Sequence, residues 1–135
     1  MRVIIDSNVI ISAALFKSKV MSKVMRAIAT NHHLVLTNSI IDEVKAVVSK
    51  KFPARLSNFE NFFASLDFEY QHLPSSNFDN IQIRDKNDKH IIASALITNA
   101  EVLITGDEDF FDYEYEDLEI LRPSDFLEKY EHNYL

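Results

Sequence analysis

The stretch Val3-Ile4-Ile5-Asp6-Ser7-Asn8 decides how the rest of the chain is read. Three β-branched residues in a row favour extended backbone, and the run stops on residues that favour turns and helix N-caps. A strand that hands over directly to a helix is therefore predicted. Val9, Ile10, Ala13 and Ala14 recur at helical spacing, and Val20, Val24, Ala27 and Ile28 continue in a second helical stretch. His33-Leu34-Val35-Leu36 reads as a buried strand, after which Thr37-Asn38-Ser39 offers caps for a helix carrying Ile40, Ile41, Val44, Val47 and Val48. The alternation goes on with a helix over Leu56 to Leu66, a strand at Phe68-Glu69-Tyr70 and a helix from Asp88 through Ile97. Strands at Val102-Leu103-Ile104 and Glu119-Ile120-Leu121 follow, and Pro123-Ser124-Asp125-Phe126-Leu127 opens a terminal helix with proline in its first turn. Leu73-Pro74-Ser75-Ser76-Asn77 is the most loop-like segment. Short apolar strands alternating with amphipathic helices predict an α/β fold, a three-layer α/β/α sandwich around a mostly parallel sheet. In such sheets ligands gather at the carboxyl ends of the strands.

The 135 residues suffice for a single domain over 1–135 with one core. With 47% hydrophobic and 26% charged residues, neither disorder nor a fibrous repeat is expected. The most apolar stretch, Ile91 to Ile104, is interrupted by Ser94, Thr98, Asn99 and Glu101, so no membrane association is expected. The opening residues reach an acid at Asp6 without a signal-peptide pattern, and there is no cysteine. Both features lead us to expect a cytoplasmic protein, in which any metal is held by oxygen or imidazole. The formal charge of −7 argues against a generic nucleic-acid binder. That average hides a gradient: residues 1–55 carry 9 basic and 3 acidic side chains, and residues 56–135 carry 5 and 18. A basic N-terminal part is suited to phosphate, and an acidic C-terminal part to cations or to solvent.

Two acids stand at strand ends, Asp6 after the first strand and Asp107 after Val102-Leu103-Ile104. Helical geometry adds two more. At about 100° per residue, Glu43 lies about 100° from the centre of its helix's apolar face, at its border, whereas Asp42 points to water. Asp88 falls inside the stripe of Ile91, Ile92, Ala95 and Leu96, where an ionised carboxylate needs a hydrogen bond, an ion pair or a cation. An N-terminal acid favoured by the helix dipole is the plainer explanation of Asp88. Together Asp6, Glu43, Asp88 and Asp107 make a carboxylate set suited to Mg²⁺ or Mn²⁺, whether one ion or two. Such ions activate water and stabilise charge on a phosphate, which is the chemistry of phosphodiester hydrolysis.

These elements resemble the PIN domain, in particular the small prokaryotic proteins regarded as toxin components of toxin–antitoxin pairs. The matching segments are Val3-Ile4-Ile5-Asp6-Ser7-Asn8, Ser39-Ile40-Ile41-Asp42-Glu43-Val44, Arg84-Asp85-Lys86-Asn87-Asp88, Thr105-Gly106-Asp107-Glu108-Asp109-Phe110 and Pro123-Ser124-Asp125-Phe126-Leu127. The resemblance implies a metal-dependent endoribonuclease acting on RNA with Mg²⁺ or Mn²⁺, an antitoxin partner and a homodimer or higher oligomer. It assigns metal binding and catalysis to Asp6, Glu43, Asp88 and Asp107. The chain departs from the family at Lys86-Asn87, where an acid or proline often stands, which puts Asp85 in doubt as a helper. Asp109 remains an alternative to Asp107.

Ser7, Asn8 and Thr105 are candidate supporting residues, although the first two are also ordinary helix caps. Lys19, Lys23 and Arg26 share one helix face and are candidate RNA contacts, although such faces are commonly only solvated. Among His32, His33, His72, His90 and His132 only the adjacent pair is close in sequence, and none is given a role. Phe110, Phe111 and Tyr113 are expected in the core or an interface. Two rival functions keep part of this pattern. A haloacid-dehalogenase-like hydrolase wants a second acid where Asn8 stands, and a receiver wants adjacent acids near its start, where only Asp6 is found. A catalytically degenerate PIN-like module that binds RNA or protein keeps the fold without turnover.

Overall fold

The computed structural model describes residues 1–73 and 86–134, with side chains described over 1–73 and 90–133. Strand β1 (Arg2–Ile5) hands over at Asp6 to helix α1 (Ser7–Ile11), and a π-wound segment (Ser12–Phe16) continues it. Helix α2 (Lys19–Asn31), strand β2 (His33–Thr37), helix α3 (Asn38–Lys51), helix α4 (Leu56–Ser65) and strand β3 (Glu69–Gln71) follow. After residues 74–85 come α5 (Lys86–Ile97), β4 (Val102–Ile104), a 3₁₀ turn (Glu108–Asp112), β5 (Glu119–Leu121) and α6 (Pro123–Tyr130). No helix of the described residues is long and apolar enough to cross a membrane.

The sheet has the order β3-β2-β1-β4-β5, and every strand pair is parallel. The expected mostly parallel sheet is thus wholly parallel among the described strands. Its central strands are buried along nearly their whole length, as a parallel sheet covered by helices requires: Val3, Ile4, Ile5, Val35, Leu36, Leu103 and Ile104 are all inaccessible. Two helix groups sandwich it, α2 packed on α6, and α3 packed on α1 and α5.

Several boundaries move from their expected places. The helical run predicted through Ala14 changes winding at Ser12, where the Lys17 amide donates to the Ser12 carbonyl five residues back. The third strand slides one residue, to Glu69–Gln71, and α5 starts at Lys86, two residues before Asp88. Thr37 is the N-cap of α3, its Oγ1 accepting from the Ile40 amide, and Pro123 opens α6 as expected. Phe110 is buried, while Phe111 and Tyr113 are partly so. The loop-like segment from Pro74 onward, with Arg84 and Asp85, lies outside the described residues.

Candidate active site

The site is built on the carboxyl ends of β1 and β4. The Asp6 amide donates to the Ile104 carbonyl (2.9 Å), so the residue that ends β1 is fixed to the end of the neighbouring strand. Asp6 is the N-cap of α1, and its carbonyl accepts from Val9 and Ile10. Its side chain makes no cap hydrogen bond, which leaves the carboxylate for other partners. It is buried at 4% exposure, and the Thr105 hydroxyl donates to Oδ2 at 2.8 Å. Thr105, itself fully buried, also accepts from the Asp107 amide at 3.1 Å. One hydroxyl therefore ties the two strand-end acids together.

Burial pushes the Asp6 carboxyl above its ordinary value; the Thr105 hydroxyl opposes the rise, and the Glu43 and Asp107 carboxylates add to it. Both acids are thus near enough to act on Asp6 through space. Asp107 is partly buried, and its Oδ1 accepts from the Asp109 amide at 3.0 Å, capping the 3₁₀ turn. Asp109 is exposed, and Asp107 is the one of the pair whose charge acts on Asp6.

Glu43, on α3, is half-buried and pairs with Nε2 of His90 on α5. Burial alone would raise its pKa, but the His90 ring, by hydrogen bond and by charge, together with the Ser7 hydroxyl, holds it below the ordinary value. Ser7 Oγ is buried and faces this carboxylate at a geometry short of a full hydrogen bond. His90 Nδ1 in turn lies 3.4 Å from Ser39 Oγ, which meets Ser94 Oγ at 3.1 Å, and Ser94 meets Thr37 Oγ1 at 2.7 Å. Glu43 is thereby anchored to the buried side of α3 and α5.

Asp6, Glu43 and Asp107 therefore share one end of the sheet. Asp88 lies in the first turn of α5, but its side chain is outside the described residues. Among the described residues no three of His, Asp and Glu stand close enough together to hold a metal ion. The donor set still fits a hard cation of the Mg²⁺ kind, which keeps several waters and takes only one or two carboxylates besides phosphate. Its electrostatics fit as well: a buried carboxyl with a raised pKa, beside two further acids, is relieved by positive charge.

Of the supporting residues, Thr105 contacts Asp6, Ser7 faces Glu43, and Asn8 is exposed; neither Ser7 nor Asn8 is the cap of α1. Lys19, Lys23 and Arg26 lie on α2, in the group with α6, whereas Glu43 and His90 stand on α3 and α5. His90 has no sequence spacing that marks it. Nor does helix angle mark it, because two residues beyond Asp88 is about 200° around α5.

A family model of the PIN domain matches residues 2–109. The fold is similar to a chain in the crystal structure of VapBC2 from Rickettsia felis bound to a DNA fragment from their promoter. The TM-score is 0.71 and the sequence identity 19%, over 89% of this chain and 98% of that one. No curated protein sequence matches the chain. The family match runs from β1 to just beyond Asp107 and so takes in every acid gathered at the strand ends; the chain belongs to the PIN-domain family.

Proposed function

We propose that the protein is a metal-dependent endoribonuclease, the toxin of a toxin–antitoxin pair, hydrolysing phosphodiester bonds of single-stranded or structured RNA in the cytoplasm. The observation that carries this reading is Asp6, a buried carboxyl held by Thr105 and acted on by Glu43 and Asp107. Asp6, Glu43, Asp88 and Asp107 are assigned as the carboxylates that hold Mg²⁺ or Mn²⁺. A bound divalent cation supplies Lewis acidity, neutralising phosphate charge and making water a competent nucleophile at neutral pH. The chain's own residues prepare that site. Thr105 engages Asp6 Oδ2 and fixes the plane of the carboxylate, and His90 fixes Glu43 from the α5 side. The Thr105–Asp107 bond sets the height of the loop after β4. Membership of the family and the likeness to a VapBC2 chain support an antitoxin as protein partner, and a homodimer or higher oligomer belongs to the same proposal.

The test is incubation of purified protein with single-stranded RNA in Mg²⁺ or Mn²⁺, with and without chelator. Cleavage that chelator abolishes, and that Asp6→Asn loses while staying folded, is the expected result. Retained cleavage in that variant rejects the assigned site. RNA binding without turnover in the wild type instead supports a degenerate binding module, and a lasting phospho-aspartate supports phosphotransfer.

A further inference from the structure

Two elements leave the acid site and end at the same corner of the molecule. From Asp6, α1 and the π-wound segment run to Phe16; from Glu43, α3 runs to Phe52. At about 1.5 Å per residue each path covers on the order of 15 Å. Phe16 and Phe52 meet edge to face there, with ring centroids 5.7 Å apart. Arg55 closes the corner: its guanidinium lies 5.8 Å from the Phe16 ring and donates to the Leu15 carbonyl. Phe16 is nonetheless 58% exposed, the most exposed large hydrophobic side chain among the described residues.

Next to Phe16 in the chain, Ala14 and Lys17 line one side of a cavity of about 430 Å³, whose other wall is Asn58, Asn61, Phe62 and Ser65 of α4; Phe16 itself stands outside it. That volume lies within the ~300–1,000 Å³ usual for small-molecule sites. Asn58, Asn61, Phe62 and Ser65 fall within about 100° of one another around α4, and Glu60, the acid of that helix, falls on its far side. The wall therefore offers amides, each with two donors and an acceptor, next to an aromatic ring and a lysine. Lys17, Lys50 and Lys51 are exposed on the elements that meet here.

We propose that the corner of Phe16, Arg55, Asn58 and Asn61 is a nucleobase subsite that holds single-stranded RNA at a distance from the cleavage point. This rests on the ribonuclease reading above. One base stacks on the exposed Phe16 ring, the next enters the cavity where the amides of Asn58 and Asn61 meet its edge, and Lys17, between the two, takes the phosphate that joins them. Stacking on an aromatic ring beside basic residues is the common solution for unpaired strands. A second copy of this chain suits the corner less well, because a two-fold contact centred here would set Lys17 and Arg55 against their own counterparts.

The experiment is fluorescence anisotropy of a labelled single-stranded oligoribonucleotide in chelator, so that binding is read without cleavage. Wild type, Phe16→Ala and Asn61→Ala are compared on the intact oligonucleotide and on a series with one abasic position each. Phe16→Ala is expected to weaken binding about 5- to 150-fold, the equivalent of one stacked base. Asn61→Ala should weaken it less, and one abasic position should weaken wild type while leaving Phe16→Ala almost unaffected. If wild type binds and cleaves RNA but both variants bind equally well, the subsite is wrong and the ribonuclease reading stands. If wild type neither binds nor cleaves, that reading fails and the subsite with it. A fall in sedimenting mass in Phe16→Ala makes this face an interface between copies and overturns the proposal.

Discussion

Asp6 is a carboxylate held out of water with two acids acting on it, eased by the Thr105 hydroxyl and the Ser7 backbone amide. Its folded pKa lies above the unfolded value of 3.8, so the folded state binds the proton first as pH falls. The penalty is therefore full at neutral pH and fades as pH drops through the raised pKa. Asp6→Asn should stabilise the protein at neutral pH by about 0.5–2 kcal/mol, with an advantage that shrinks on acidification. Thermal melts across that range check it, and a variant less stable than wild type at neutral pH contradicts it. Glu43 works in the opposite sense: its pKa is held low, so its contribution is present above the ordinary value of 4.5 and is lost as pH falls through the folded value. Thr105→Val removes the donor to Asp6 and the acceptor of the Asp107 amide together. Activity or metal affinity should fall about 10- to 100-fold, as is usual for groups that orient ligands, and a manganese activation curve measures it. Unchanged activation would mean that Thr105 serves the fold alone. Strand-end position made Asp6 and Asp107 legible in the sequence, and helix angle made Glu43 so. His90 was not legible, because its partner stands on another helix and neither chain spacing nor helix angle links the two.

Among elements, the central strands β1, β2 and β4 were read nearly to the residue because continuous β-branched and aliphatic runs have few alternatives where a sheet is buried on both faces, whereas the edge strand β3, Glu69–Gln71, slid by one residue. The switch to π winding at Ser12 was not legible, since Val9, Ile10, Ala13 and Ala14 present one apolar face under either winding. Nor did periodicity reveal how α6 is docked. Glu131, just past its end, is buried and accepts from Asn31 Nδ2 at 3.0 Å and meets His32 Nε2 at 2.5 Å, while His32 also packs edge-on against Phe126. Glu131→Ala leaves both α2-end groups without their partner and should destabilise the protein by about 1–3 kcal/mol. Urea denaturation reads this, and a loss under about 0.5 kcal/mol, typical of surface changes, would show that solvent replaces the pair easily.

For the whole molecule, the sandwich followed from alternating elements, whereas the closeness of the site depended on the strand order. Placing β1 between β2 and β4 brings Asp6 beside Thr105 and Asp107, residues about a hundred positions away in the chain. No local pattern encodes that neighbourhood. The charge gradient was legible, but its use was not: Lys19, Lys23 and Arg26 sit on α2 in the α6 group, while the Phe16 corner lies where the helices from Asp6 and Glu43 end. The proposed function stands on Asp6, Glu43, Asp88 and Asp107 holding a divalent ion at the carboxyl ends of β1 and β4. A crystal soaked in Mn²⁺ and measured for anomalous scattering tests it most directly. A peak is expected about 2.0–2.3 Å from an Asp6 oxygen, with at least one of the other three carboxylates touching the ion directly or through water. Manganese bound only elsewhere, with Asp6 still engaged by Thr105 alone, would contradict it.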